Sequence, residues 1–549
     1  MTLNVNIAPP VETAALDQAH VGNIRGAFGS IATDDLAPRH DWRRRLQTLL
    51  AIIGPGLIVM VGDNDAGAFG TYTQAGQNYG TTLLWTLPLL IPVIYVNQEM
   101  VLRLGAVTGV GHARLILERF GKFWGAFSVI DLFMLNALTI VTEFIGVSLA
   151  LDYLGLPKSW GVSAAALAII ASAGTGDFRR FERFAVALCL GSLLLVPIYF
   201  IVHPPLAVVV HDALIPSLSP AGKLSDVMLL VIGIVGTTVA PWQLFFQQSY
   251  VIDKRITPRF MAYERADLAI GVVFVMIGAI AMMAFAAQAF AGRPGFGAFT
   301  DAGGVAAGLE AYAGKLPAVL FAIALIDASV IGAMAVSLST AYAIGDVMTL
   351  NHSLHRKPAE AKGFYAVYCG LVFVAAALVL TPGTPLGLLT NAVQALAGVL
   401  LPSATVFLLL LCNDRAVLGP WVNRTSLNLF TGAVIAVLVS MSIVLTASVL
   451  FPDAIDQKAI VEILGGSAVA AALVTLGGWL AGRGGAKPKR VSAIDAMLRQ
   501  SWRMPPLAKL PPARLSPLSQ AWMTVLRGYL VLAAGLVLIR IVMLAFGRG

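Results

Sequence analysis

Gly62-Asp63-Asn64-Asp65-Ala66-Gly67 places two carboxylates and two glycines in the middle of an apolar run from 47 to 76. A carboxylate inside hydrocarbon costs a few kcal/mol even on insertion scales, so it marks function by default. The glycines let a helix unwind and expose carbonyls. The run reads as a membrane-spanning helix broken at its centre; the plainer alternative is an acidic cluster at the wet end of a shorter span. Working outward, a second interruption stands in the run from 226 to 250, as Gly236-Thr237-Thr238-Val239-Ala240-Pro241. There Pro241 removes an amide donor and pushes against the carbonyl four residues back, which could also be a simple kink. The two breaks fall in the first and sixth apolar runs. That spacing is expected of two five-helix repeats in inverted relation, and carriers built so bind ions at the midplane between the broken helices.

The rest of the chain is membrane protein almost throughout. Of its 549 residues 58% are hydrophobic and only 12% charged, with mean hydropathy +0.81, which excludes a soluble fold. A spanning helix needs about 20 mostly apolar residues. Such stretches recur at 47–76, 82–104, 124–153, 160–176, 184–202, 226–250, 266–290, 316–343, 364–381, 387–412, 427–451 and 461–482, with a thirteenth at 526–546 that carries Arg540. The expected organisation is a disordered cytosolic tail over 1–45, a first five-helix repeat over 46–202, a second over 226–412 and two further helices over 427–482. A basic cytosolic segment over 483–525 and the thirteenth span over 526–549 complete it. The leader has no long apolar run and is not a signal peptide.

The formal charge of +8 is scattered between the spans, which speaks for orientation in a bilayer and against nucleic acid. Connections rich in Lys and Arg alternate with poor ones: Arg103, Arg114, Arg119 and Lys122 precede Lys158 alone, then come Arg179, Arg180 and Arg183, then Lys223 alone, then Lys254, Arg255, Arg259 and Arg265. Basic loops stay cytosolic. The expected topology has a cytosolic N-terminus in a bacterial-type plasma membrane. Cys189, Cys369 and Cys412 lie far apart without CxxC spacing and read as core thiols.

Around the breaks the chain resembles the natural-resistance-associated macrophage protein (Nramp) family of metal-ion transporters. Gly54-Pro55-Gly56 leads to Asp65-Ala66-Gly67-Ala68 at the spacing of the family's GPG and Asp-Pro-Gly-Asn. Arg103-Leu104-Gly105-Ala106-Val107-Thr108-Gly109 is close to its RLGxVTG, and Thr142-Glu143-Phe144-Ile145-Gly146 to its AEVIG. Gln394 stands eight residues before Pro402, as the family's glutamine precedes its Leu-Pro pair. The resemblance spans roughly 46–412. It implies an all-α polytopic, LeuT-like inverted repeat of 5+5 helices with helices 1 and 6 broken, followed by extra C-terminal helices, and a single chain sufficient for transport.

The departures from the family pattern fall on the ion site. The family's asparagine is Ala68, its span-six methionine is Ala240 with Pro241 kept, and its histidine is Trp242. A thioether suits softer metals and is indifferent to Mg2+. Losing it, and making room for an ion that keeps several waters, looks like the Nramp-related magnesium transporter branch. The expected ligands are Asp65 first, then Asp63, Asn64, Ala66, Thr237, Thr238, Ala240 and Gln394, with the threonines acting through carbonyls. Gly62, Gly67, Ala68, Gly236, Pro241 and Trp242 shape the breaks. Where the family has an acid three residues before Glu143, this chain has Ile140. With Trp242 it removes two groups that the resemblance assigns to proton transfer, while Glu143 stays.

The expected function is import of Mg2+, and also Mn2+, by alternating access without proton coupling. No resident cofactor is expected, and the partners are the metal substrate and the bilayer. Alternatives are a proton-coupled Mn2+/Fe2+ transporter of the Nramp type, a sodium-coupled organic-solute carrier, and a metal sensor. An intramembrane aspartyl protease is disfavoured because Ala343-Ile344-Gly345-Asp346 only approaches its Gly-x-Gly-Asp motif. Asp327 is read evenly as a structural hydrogen-bonding group or a permeation residue, Asp131 and Asn136 as helix contacts, and Gln243, Gln247 and Gln248 as a vestibule face or interhelical bonds. His203, His211, His352 and His355 read as solvated.

Overall fold

The computed structural model describes residues 14–35, 37–217, 223–383, 402–451, 457–482, 499–513 and 526–532, with a few isolated positions besides. Gln394, residues 1–13, the segment 483–498 and most of the thirteenth span lie outside the described residues.

Helix follows helix wherever the sequence is apolar. The elements are α1 (Trp42–Ile52), α2 (Pro55–Val61), α3 (Ala66–Tyr79), α4 (Thr86–Thr108), α5 (His112–Phe120), α6 (Lys122–Tyr153), α7 (Lys158–Ala173), α8 (Phe178–Gly191), α9 (Leu195–Val202) and α10 (Leu206–Leu214). After them come α11 (Leu224–Thr238), α12 (Pro241–Asp253), α13 (Met261–Phe290), α14 (Ala302–Ala313), α15 (Lys315–Met348) and α16 (Lys362–Leu380). The described chain closes with α17 (Pro402–Asn413), the short α18 (Arg415–Leu418), α19 (Thr425–Leu450) and α20 (Gln457–Gly482). Among the described residues eight helices are long and apolar enough to cross a membrane, nine with the bent pair α1 and α2. Large apolar side chains stand on the outer surface, among them Leu89, Ile130, Leu167, Phe200 and Phe373, each more than 60% exposed. In water such a surface would aggregate; in a bilayer it is the lipid face.

The long helices α6, α13 and α15 make the scaffold, α15 lying along α6 and α13 along both α2 and α3. They carry few reasons to stop, since Gly and Pro are sparse in their interiors. The first span behaves differently. Its predicted break at Gly62 to Asp65 is present, and α1 and α2 meet in a second bend of 52° at Ile53-Gly54, which the sequence reading did not anticipate. Gly54 sits at φ +153°, a conformation that side-chain-bearing residues rarely adopt. The sixth span breaks at Val239-Ala240, both outside helix, and Pro241 occupies the first position of α12. Pro241 therefore starts a new helix instead of kinking an old one, because a first-turn residue has no amide bond to lose.

Over its described residues, from Ala14 on, the leader is not the free tail expected over 1–45. Residues Gln18–His20 form a 3-10 turn, and β1 (Ile24–Gly26) pairs antiparallel with β2 (Gly29–Ile31) around Ala27-Phe28. Ala14, Ile24, Ala27 and Ile31 are buried, as is Asp17. Four small apolar contacts suffice here because helix ends supply a ready surface and polar partners for the backbone.

Candidate metal-ion site

The turn between α2 and α3 is built by short backbone bonds. The Asp63 amide donates to Met60 O at 3.3 Å and the Asn64 amide to Val61 O at 3.1 Å. Asp65 is then extended and caps α3, its Oδ1 accepting from the Ala68 amide at 2.9 Å. A carboxylate at a helix N-terminus faces free amides and the positive end of the helix dipole. Ala66 donates its amide to Glu143 Oε2 at 3.1 Å, which brings the α6 acid to the same turn. Gly332 on α15 lets the two acids approach, since a Cβ there would lie 2.9 Å from the Glu143 carboxyl carbon and 3.1 Å from Asp65 Cβ.

Asp63 is fully buried, one oxygen accepting from the Gln243 amide while the other has no protein partner. Gln243 is itself held by Gln98 Nε2 at 2.9 Å. On the polar face of span six, Gln243 thus aims Asp63, and Gln248 Oε1 accepts from His112 Nδ1 at 3.0 Å while its Nε2 donates to Val110 O at 2.8 Å; the side-chain nitrogen and oxygen of buried Gln247 have no protein partner. Asn64 points its amide at Val275 O on α13, 3.0 Å away, and its Oδ1 has no protein partner. Only that oxygen is free for another role.

The two breaks face each other. A side chain at Gly62 would come within 3.6 Å of the Trp242 ring, and one at Gly67 within 3.8 Å of Thr237 Oγ1. Thr238 is buried and its hydroxyl lies 2.7 Å from Tyr72 OH on α3, a cross-link between the half-helices. Gly236 has open space around it and stays inside α11, so it does not form the break. Ala240 is half-buried and extended, the cap of α12, and Trp242 is buried with its carbonyl accepting from Ser339 at 2.9 Å. Ile140 is fully buried on α6, one turn before Glu143. Its side chain has nothing that ionises.

Among the described residues no three His, Cys, Asp or Glu side chains converge at metal-ligand spacing. Asp63, Asp65 and Glu143 surround the turn without closing on one point. The sequence reading missed Tyr72, Gln98 and Gly332; a tyrosine and a glutamine inside apolar runs were the available signal. Asp327 faces α8, where a side chain at Gly191 would strike its carboxyl group. Asn136 donates to Thr340 at 2.8 Å, a helix contact as expected.

At the end of the bundle carrying the basic connections, two histidines expected to be solvated are not: His352 is buried and His355 half-buried. His352 Nε2 lies 3.1 Å from Asp346, and its amide donates to Asp17. His355 stacks on Phe178. Burial alone would lower the His352 pKa, but Asp346 and Asp17 outweigh it and raise it from about 6.5 to about 9. His20, buried against the same group, is lowered by that burial. A raised pKa stabilises the fold fully below the unfolded value, and the contribution is lost as pH climbs through the folded one. Melting temperature should therefore fall between about pH 6.5 and 9, and His352→Gln should flatten that slope; an equal slope in the variant would refute the assignment.

A bundle whose first and sixth spans break against each other around acidic side chains has the architecture of secondary transporters with inverted repeats. The family described as natural-resistance-associated macrophage protein-like matches residues 56–448. The chain belongs to that Nramp family of metal transporters, which are not enzymes. It is 28% identical to the divalent metal cation transporter MntH of Burkholderia ambifaria over 423 residues, 73% of this chain and 89% of that one. With MntH of Ralstonia nicotianae it shares 30% over 397 residues, 68% and 86% of the two chains. The crystal structure of the Eremococcus coleocola manganese transporter superposes with TM-score 0.62 at 19% identity, covering 81% of this chain and 96% of that one.

Proposed function

We propose that this chain carries divalent metal cations across the membrane by alternating access, the ion resting between the Gly62–Asp65 turn and the Val239-Ala240 break. What carries the reading is the meeting of Asp63, Asp65 and Glu143 at a turn that leaves Asp63 and Glu143 each with one oxygen lacking a protein partner. A buried carboxylate oxygen without a partner is costly, and a cation is the partner that repays it. With no convergent triad of side chains, carbonyls and retained water would complete the coordination, as a hard, reluctantly dehydrating ion prefers. The basic end of the bundle is the cytosolic one in a bacterial-type plasma membrane.

The relatives are named for divalent metals and the structural neighbour for manganese, so Mn2+ is the first cargo to test. That favours the Nramp-type alternative over a transporter devoted to Mg2+. Mg2+ joins as a second cargo because Ala240 and Ala68 offer neither sulfur nor amide where the family has them. Proton coupling is the point of difference. Ile140 and Trp242 cannot change protonation beside the site, and a proton route needs groups that do. An inside-negative potential supplies about 4.6 kcal/mol per 100 mV to a dication.

Proteoliposomes held inside-negative, with metal and lumenal pH indicators together, test both points. Mn2+ and Mg2+ should enter while lumenal pH stays flat. Lumenal acidification comparable to the metal flux would return the chain to the proton-coupled reading. Inhibition by acid is no substitute, because protons compete for Asp65 and Glu143 without being transported.

A further inference from the structure

The leader hairpin lies outside the residues that match the family, yet it is anchored at a buried cluster of charged side chains. Arg179, in the first turn of α8, donates to Gly26 O at 3.0 Å and to Gly29 O at 3.1 Å; Arg183 donates to Ala27 O at 2.8 Å. The Ala27 amide in turn donates to Glu182 Oε2 at 2.5 Å. The other oxygen of Glu182 takes Lys254 Nζ at 2.6 Å, at the end of α12, and the same ammonium donates to Ile53 O at 2.8 Å. One carboxylate thus joins the hairpin, α8, α12 and the bend between α1 and α2.

That bend is held from the far side by Asp267 of α13, which accepts from the amides of Gly54, Gly56 and Leu57 at 3.1, 2.7 and 3.2 Å. Glu182, Lys254, Asp267 and Glu264 are all fully buried, and neither oxygen of Glu264 has a protein partner. Three carboxylates and one ammonium make a cluster that water would enter at once if uncovered. The hairpin covers it: a side chain at Gly26 would strike Ala51 O of α1. Further anchors are Arg255 on Ala19 O at 2.9 Å, and Arg356 on Asp17 at 2.6 Å. Every residue of α2 is buried, so the half-helix that follows the bend is covered by its neighbours.

An ion leaving the break toward that end needs α1 and α2 to part from α8 and α12, the usual movement of one half-helix against the bundle. We propose that residues 14–35 are a clamp on this gate: the hairpin must release Glu182 and the α8 arginines in each cycle before the path opens. The inference rests on the transport reading but not on which metal moves.

The test is a reversible bridge. Ser30 and Arg179 contact each other, and Ser30→Cys with Arg179→Cys can be joined by a short, cleavable bis-thiol reagent in a chain whose half-buried Cys369 is changed to Ser. Bridging should cut Mn2+ uptake into liposomes at least roughly tenfold, the mark of a suppressed state, and reduction should restore it. Independently, Val61→Cys, buried beside the break, should react with an impermeant maleimide from the basic side faster in unbridged than in bridged protein. This second readout works without any transported metal, so it separates failure of the clamp from failure of the transport reading. Unchanged uptake after complete bridging, or equal labelling rates, would overturn the proposal.

Discussion

Asp65→Asn should leave the chain folded and stop metal uptake. Asparagine caps a helix about as well as aspartate, so the bond from Ala68 to position 65 and the turn it closes survive. The negative charge does not. A dication at the turn then loses the carboxylate nearest Glu143, and desolvating it becomes unfavourable by more than the membrane potential repays. Initial rates of Mn2+ and Mg2+ uptake should drop at least about a hundredfold, close to 3 kcal/mol of lost stabilisation. Detergent melting temperature should move little. Asp65→Ala loses the cap as well, costing about 1 kcal/mol of fold stability, so comparing the two separates charge from capping. Wild-type flux in Asp65→Asn at equal expression would remove Asp65 from the site.

Ala240→Met should turn the metal preference. Ala240 is extended and half-buried between Thr238 and Pro241, at the head of α12. A methionine there adds a soft donor and takes volume from water of hydration. A thioether favours Cd2+ and tolerates Mn2+, and gives nothing to Mg2+, which keeps its water shell. Mg2+ uptake should fall about tenfold or more, while Cd2+ uptake appears or rises, each 1.4 kcal/mol of differential coordination being worth a factor of ten. Competition against a fluorescent Mn2+ signal measures the whole series in one preparation. An unchanged series would mean that position 240 does not face the ion.

The two predictions draw on different amounts of sequence information. Asp65 stands out in the sequence because hydrocarbon tolerates a carboxylate only for a reason, so its place in the run sufficed to propose it. Asp63 was legible as a residue but not in its aim, which depends on Gln243, 180 positions away. Asn64, counted among the ligands, spends its amide on Val275, 211 positions on. Gly236 was assigned to a break that begins three residues later, because glycine permits an interruption without requiring one. Pro241 does require it, and the helix restarts there.

By itself, the sequence determined that this chain crosses a membrane many times and that its first and sixth spans break. Both follow from the local cost of placing residues in hydrocarbon, which a window of about 20 residues already contains. Tertiary structure alone decided which oxygens at the break lack partners, that Tyr72 and Thr238 tie the half-helices together, and that the leader folds onto α8 and α1. The hairpin has too little apolar surface to fold alone. It is ordered by Glu182, Arg179 and Arg183, some 150 residues distant along the chain. No local pattern can announce a partner that only the packing of helices brings near.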